Sequence, residues 1–270
     1  MDQLAVSEAR EWLEQSAPGS VEVLDVRQAW EYEELHLPGA RLIPLGELAK
    51  RWHELAADRP VVVYCRTGVR SRAAAQFLSG QGRDRIFNLQ GGILAWQGHL
   101  AEGAPDLGMD IFLEIESLED IFFKAYGMER FLQGCYGAFS QRSEDVVVQD
   151  LFDILAGFED KHMRTIYSLY CREVDAPLNQ EDFALRAPET TGEGGVAPQS
   201  FVPDEEYLLR SIRAACELAM AIEVQAMDFY LRCARRAGEE KVASVFLRLA
   251  REEQGHLRML ENYFDNNLQS

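Results

Sequence analysis

Nothing in this 270-residue chain approaches the roughly 18 consecutive apolar residues that a bilayer crossing requires. The opening residues, Met1-Asp2-Gln3-Leu4-Ala5, lack the basic start and apolar core of a secretory leader, so the cytoplasm is the expected address. Cysteine is scarce and odd in number: Cys65, Cys135, Cys171, Cys216 and Cys233, with no C-x-x-C pair. That argues against a disulfide framework and against a cysteine-ligated zinc or iron site, and any thiol that matters must act alone. Basic charge is also short. Against 45 Asp and Glu stand 27 Lys and Arg, a net of −18, which makes nucleic acid a poor partner because phosphate contacts need a basic face.

What is present divides near residue 105. Up to that point 11 Lys and Arg face 14 Asp and Glu, and beyond it 16 face 31. The first part alternates short β-branched runs (Val21–Val26, Ala40–Ile43, Val61–Tyr64, Ile86–Leu89) with helical patterns at Ser7–Gln15, Gly46–Leu55, Ser71–Gln81 and Ile93–His99. Such alternation builds a mostly parallel sheet with flanking helices. The second part has no convincing strand. Four long helical patterns run near 117–141, 144–173, 204–237 and 239–265, with a Ser117–Asp120 capping box, Asp204 opening the third and Gly238 closing it. The Pro- and Gly-rich segment Val174–Pro203 is too long for an ordinary loop, yet a four-helix bundle with one long crossover needs such a connection. The expected organisation is therefore two domains, 1–105 and 110–270.

In the first, Val61-Val62-Val63-Tyr64-Cys65 reads as a buried strand ending on a cysteine, and Ser71-Arg72-Ala73-Ala74-Ala75 starts a helix. A thiol between them faces loop N–H groups and a helix N-terminus. Both favour an anionic sulfur and lower its pKa below the free value of about 8.5. Arg66 and Arg70 add positive charge for an anionic substrate; an inert buried cysteine is the alternative. Cysteine phosphatases place their arginine one residue later than Arg70, where this chain has Ser71. The tighter ring suits a single bound sulfur atom better than a phosphoryl group.

This loop, with Leu24-Asp25-Val26-Arg27, Glu31, His36-Leu37-Pro38-Gly39-Ala40 and Gly91-Gly92-Ile93-Leu94-Ala95-Trp96 in the same order, resembles a single-domain rhodanese. The resemblance implies that Cys65 takes sulfur from a donor such as thiosulfate, holds it as a persulfide and passes it to a thiol or cyanide. It implies further that Arg66, Thr67, Gly68, Val69 and Ser71 cradle the substrate, that Arg70 orients it, and that Asp25 and Arg27 brace the loop. Leu35 stands where the family often has glycine, and His36 reads as a packed turn residue.

In the second part, four glutamates interrupt apolar helical stripes: Glu129, Glu159, Glu223 and Glu253. Four carboxylates facing one core would each cost several kcal/mol unless paired, and no Lys or Arg shares those stripes. The only two histidines here, His162 and His256, each follow one of these glutamates by three residues. Two E-x-x-H helices plus one Glu from each of two others compose the dinuclear carboxylate site of ferritin-like bundles. A spacing of 94 relates Glu129 to Glu223, Tyr136 to Tyr230, Glu159 to Glu253 and His162 to His256, as expected of a duplicated helix pair. Glu252 is the rival ligand on the last helix, on a less apolar face than Glu253.

Residues 110–270 thus resemble the rubrerythrin-type, ferritin-like di-iron domain. The resemblance implies two iron ions, with manganese or zinc also compatible with mixed carboxylate and imidazole ligation. It implies that Glu159 and Glu253 bridge, that each histidine takes one iron, and that Tyr136 and Tyr230 hydrogen-bond the ligands. It implies reaction with dioxygen or peroxide. Ala226 stands where the family usually adds a glutamate, and no cysteine set can hold an electron-transfer iron, so electrons must come from an external donor. The preferred function is a persulfide-forming sulfurtransferase fused to a di-iron oxidoreductase, at least homodimeric. The alternatives are an iron-oxidising handling protein with a docking rhodanese domain, and a persulfide or redox sensor. Cys135, Cys171, Cys216 and Cys233 are expected to be small packed side chains.

Overall fold

The computed structural model describes residues 2–109, 117–188 and 205–268. A five-stranded, wholly parallel sheet forms from β1 (Asp2–Leu4), β2 (Glu22–Asp25), β3 (Arg41–Leu42), β4 (Val61–Tyr64) and β5 (Ile86–Leu89), in the order β1-β5-β4-β2-β3. The all-apolar run of β4 is what a strand covered on both faces requires. Val61 and Val63 enter one cluster with Leu24, Ala74, Ala75 and Leu78, whereas Val62 and Tyr64 enter another with Ala9, Val23 and Tyr32. Helix α4 (Val69–Gly80) therefore covers one face, and α1 (Val6–Gln15) with α2 (Ala29–Glu34) covers the other.

Several expected elements are shorter. The Gly46–Leu55 pattern becomes α3 (Leu48–Arg51) and a 3-10 turn at Trp52–Glu54, and Ile93–His99 yields only α5 (Gly92–Ala95). Strand β1 and helix α2 are additions. The first is a three-residue edge strand in register with Phe87–Leu89, too short to show a pattern of its own.

The helical half is built on α6 (Leu118–Arg142), α7 (Val146–Glu173), α10 (Ile212–Arg236) and α11 (Glu240–Leu268), packed as two antiparallel hairpins. Ser117 and Asp120 form the capping box: Ser117 Oγ accepts from the Asp120 amide at 3.2 Å, and the Ser117 amide donates to Asp120 Oδ2 at 2.8 Å. The connection after α7 contains a short helix, α8 (Gln180–Arg186), where the sequence reads as loop throughout. Phe183 draws it inward against Phe123, Tyr126 and Tyr170.

The third long helix also differs. Expected from 204, it is broken into α9 (Glu205–Leu208) and α10, which Ser211 caps by accepting from the Ala214 amide. Leu208 and Leu209 are buried, and the Leu209 carbonyl accepts from Ser143 Oγ at 2.6 Å instead of continuing a helix. Asp204, the expected opening residue, lies outside the described residues.

The two halves are in close contact. The Gln225 side-chain amide makes a reciprocal pair with the Glu102 backbone, and Arg232 donates to the Leu107 carbonyl at 2.6 Å. Gln254 reaches the Leu13 carbonyl, and Arg10 pairs with Glu261 at 2.9 Å. The fit depends on glycine at two points. A β-carbon at Gly39 would lie 2.6 Å from Leu231, and one at Gly19 would lie 2.7 Å from Leu247. Both glycines also have positive φ. No described helix is long and apolar enough to cross a membrane.

Candidate functional site

Cys65 follows β4 directly and is 1% exposed, at the floor of a loop that ends in α4. Gly68, with φ at 88°, turns its amide onto the sulfur at 3.1 Å, and Ser71 Oγ approaches it at 3.5 Å. Burial opposes ionisation of the thiol. The Ser71 hydroxyl and the Ser71, Thr67 and Gly68 amides outweigh it and hold its pKa below the ordinary value. The loop backbone is clamped from below by α5, whose Ile93 and Leu94 amides donate to the Cys65 and Arg66 carbonyls. Gly92 permits that clamp, because a β-carbon there would sit 2.2 Å from the Cys65 oxygen.

Arg66, Thr67 and Val69 are exposed around this sulfur, while Gly68 and Ser71 are buried against it. Arg70 is half-buried and makes a fork of two 2.7 Å bonds to Glu31 on α2. That pairing, which sequence reasoning left without a role for Glu31, aims the arginine along the loop and holds Glu31 at about 2. Asp25 and Arg27, expected to brace the loop, pair with each other and with the neighbouring chain: the carboxylate accepts from Arg27 Nε and a terminal nitrogen, which also donates to the Leu35 carbonyl. His36 is a packed turn residue, as expected, stacked on Tyr32 with Nδ1 against the Tyr32 carbonyl. Its other nitrogen faces Asp228 of the helical half, a contact with no signal in either local sequence.

The six carboxylate and imidazole groups of the helical half converge. His162 Nδ1 lies 3.0 Å from Glu129, 3.5 Å from Glu159 and 3.7 Å from Glu253. His256 Nδ1 lies 3.1 Å from Glu223 and 3.7 Å from Glu253, so Glu253 touches both histidines. The two rings stack at 4.4 Å. Glutamate–histidine pairs of equal spacing, 33 residues each, thus meet across the bundle as the internal repeat demands. Glu129, Glu159, Glu223, Glu253 and His162 are buried, and His256 is nearly so.

Electrostatics explain why this cluster calls for a cation. Burial pushes Glu159 well above the usual carboxylate range, and the charges of Glu129 and Glu223 push the same way. Against burial, the neighbouring Glu129 and Glu253 hold His162 above its ordinary value. Burial likewise opposes ionisation of Glu129 and Glu223, but the histidines keep both below theirs. Oε1 of Glu159, Oε1 of Glu223 and Nε2 of His162 are buried with no hydrogen-bond partner among the described residues. Groups of such cost, aimed at one another, fit a pair of divalent metal ions with mixed oxygen and nitrogen ligation. Tyr230 donates to Glu129 Oε1 at 3.0 Å, which fixes that carboxylate. Tyr136 is fully buried and stacks on Phe152.

The remaining thiols are unlike Cys65. Burial pushes Cys216 up to about 11 and raises Cys233 further, and Cys135 is partly covered. Cys171, expected to be packed, is exposed because its position on α7 faces away from the core.

Comparison with known proteins finds two families in separate stretches of the chain. A model of the rhodanese-like domain matches residues 6–99, and one of rubrerythrin matches residues 120–262. The chain is 44% identical to the uncharacterized protein YqhL of Bacillus subtilis over 29% of its own length and 63% of that protein's. It is 40% identical to a sulfurtransferase of Allochromatium vinosum over 28% of its length and 72% of the relative's. For the thiosulfate sulfurtransferase GlpE of Shewanella oneidensis the identity is 38%, over 28% of this chain and 76% of the relative. The chain thus belongs to the rhodanese family in its first part and to the rubrerythrin family in its second.

Proposed function

We propose that this protein transfers sulfane sulfur through a persulfide on Cys65 and reduces peroxide or dioxygen at a di-iron centre held by Glu129, Glu159, His162, Glu223, Glu253 and His256. For the sulfur half, the carrying observation is the Gly68 amide donating to the Cys65 sulfur in a loop that depresses its pKa. The thiolate attacks the outer sulfur of thiosulfate, the S–S bond breaks, and sulfite leaves with the electron pair. Cyanide or a thiolate then attacks the terminal sulfur, and Cys65 is released as thiolate. No net oxidation occurs. The loop amides and Ser71 carry the negative charge, and Arg70, held by Glu31, stands beside the entering anion. Thiosulfate as donor is supported by the relative named for that activity.

For the helical half, the carrying observation is the buried convergence of two histidines and four glutamates, among which Glu159 Oε1, Glu223 Oε1 and His162 Nε2 have no hydrogen-bond partner among the described residues. Iron bound there supplies two one-electron couples, matching the two electrons that peroxide takes on becoming water. The chain's own part is to hold that pair in a water-poor, carboxylate-rich core, with Tyr230 fixing Glu129. Electrons come from an external reductant, and a homodimer belongs to this reading.

Thiosulfate–cyanide turnover and metal content test the two halves separately. The proposal expects turnover lost in Cys65→Ser and about two irons per chain lost in Glu159→Ala or His256→Ala. Wild-type turnover in Cys65→Ser, or a stable protein that takes up no metal, overturns the corresponding half.

A further inference from the structure

Apart from both reactive centres, a cleft of about 340 Å³ lies between the sheet half and the helical half. Its size is within the range of roughly 300–1,000 Å³ typical of small-molecule sites, which favour domain interfaces. None of its lining residues belongs to the sulfur loop or to the six candidate ligands. Leu37 and Pro38 on one side and Met227, Leu231 and Leu257 on the other give it an apolar wall.

Its charges are not balanced. The carboxylates at its edge are already taken: Glu14 and Glu261 by Arg10, Glu22 and Glu54 by Arg41. Arg235 enters the cleft from α10 with no carboxylate within 4 Å among the described residues, and its guanidinium hydrogen-bonds only the Gly39 and Ala40 carbonyls. Those two bonds use part of a five-donor fork and leave the rest for a ligand. Burial lowers the pKa of Arg235, against the charges of Glu22 and Asp228, neither of them in salt-bridge contact with it among the described residues.

We infer that the interdomain cleft binds a small organic monoanion, its oxyanion head on Arg235 and its apolar body between Leu37, Leu231 and Leu257. Occupancy requires both halves of the chain, since Gly39 and Arg235 come from opposite sides.

Fluorescence titration of the full-length protein with 8-anilinonaphthalene-1-sulfonate tests this, because that probe joins a sulfonate to an apolar body. One saturable site per chain is expected, displaced by hexanoate but not by hexanol. Arg235→Gln should weaken binding about tenfold or more, as loss of a charged hydrogen-bond partner does, while Arg235→Lys keeps most of it. Ala243→Phe, which fills the cleft from α11 and leaves Arg235 in place, should block the probe even if Arg235→Gln fails to fold. Absence of saturable binding, displacement by hexanol as readily as by hexanoate, or unchanged affinity in a folded Arg235→Gln or Ala243→Phe protein overturns the inference.

Discussion

The Asp228 carboxylate on α10 stands 3.4 Å from Nε2 of His36 and accepts from the Gly39 amide at 2.8 Å, so one buried charge of the helical half organises a turn of the sheet half. Arg232 completes the group at 2.6 Å. Asp228 follows Glu223 by five residues, about 7.5 Å along the same helix. The helix that carries Glu223 is thereby anchored to the rhodanese half.

Asp228→Ala should destabilise the protein by about 3–5 kcal/mol, since it strands Arg232 and His36 in a buried site. The effect depends on pH in a definite direction. Burial opposes ionisation, but the neighbouring His36 imidazole and the Arg232 charge hold Asp228 at about 2, below its ordinary 3.8. Its contribution is thus fully present above the unfolded value and is lost as pH falls through the folded one. Denaturant titrations of wild type and Asp228→Asn should show their stability difference shrinking between about pH 4 and pH 2.

Sulfur transfer should rise with pH through an apparent pKa below the ordinary thiol value and then level, because the reacting form is the thiolate. Ser71→Ala removes a hydroxyl that favours the anion, and the inflection should move upward. A pH–rate profile with thiosulfate below saturation reads both. An unmoved inflection in Ser71→Ala would deny that hydroxyl its part.

Gly92→Ala should abolish most sulfur transfer and cost more than about 1 kcal/mol, as a β-carbon enters the Cys65 and Arg66 backbone at a positive φ. Metal content of the purified variant should stay at the wild-type level, which separates loop distortion from general unfolding.

Tyr230→Phe deletes the hydroxyl that donates to Glu129 and should weaken metal binding about 10- to 100-fold, with the fold kept. Competition with a graded chelator measures this. Denaturant unfolding of the wild type should show a gain of about 2.7 kcal/mol for each metal site when free metal stands 100-fold above that site's dissociation constant.

The legible parts of this molecule were those carried by contiguous residues or by helical period. Residues 61–75 place strand, cysteine, loop and helix in one line, and E-x-x-H on two helices fixes which face each glutamate and histidine shares. What stayed hidden depended on distant partners. Asp228 meets Gly39 across 189 residues, and nothing near it distinguishes a buried anchor from a solvated charge. Helix α8 and the break before α10 are similar: Phe183 and the Leu209 carbonyl are pulled into place by packing that local propensity does not encode.

The close seating of Leu231 on Gly39 and of Leu247 on Gly19 bears on how the protein can be handled in the laboratory. A chain cut after residue 105 would leave both leucines bare on one fragment and a matching hollow on the other. Each fragment would then carry a sticky face that invites self-association, so measurements on isolated halves would describe aggregates as readily as the intact protein. Point substitutions in the intact polypeptide are the sounder route to testing each half.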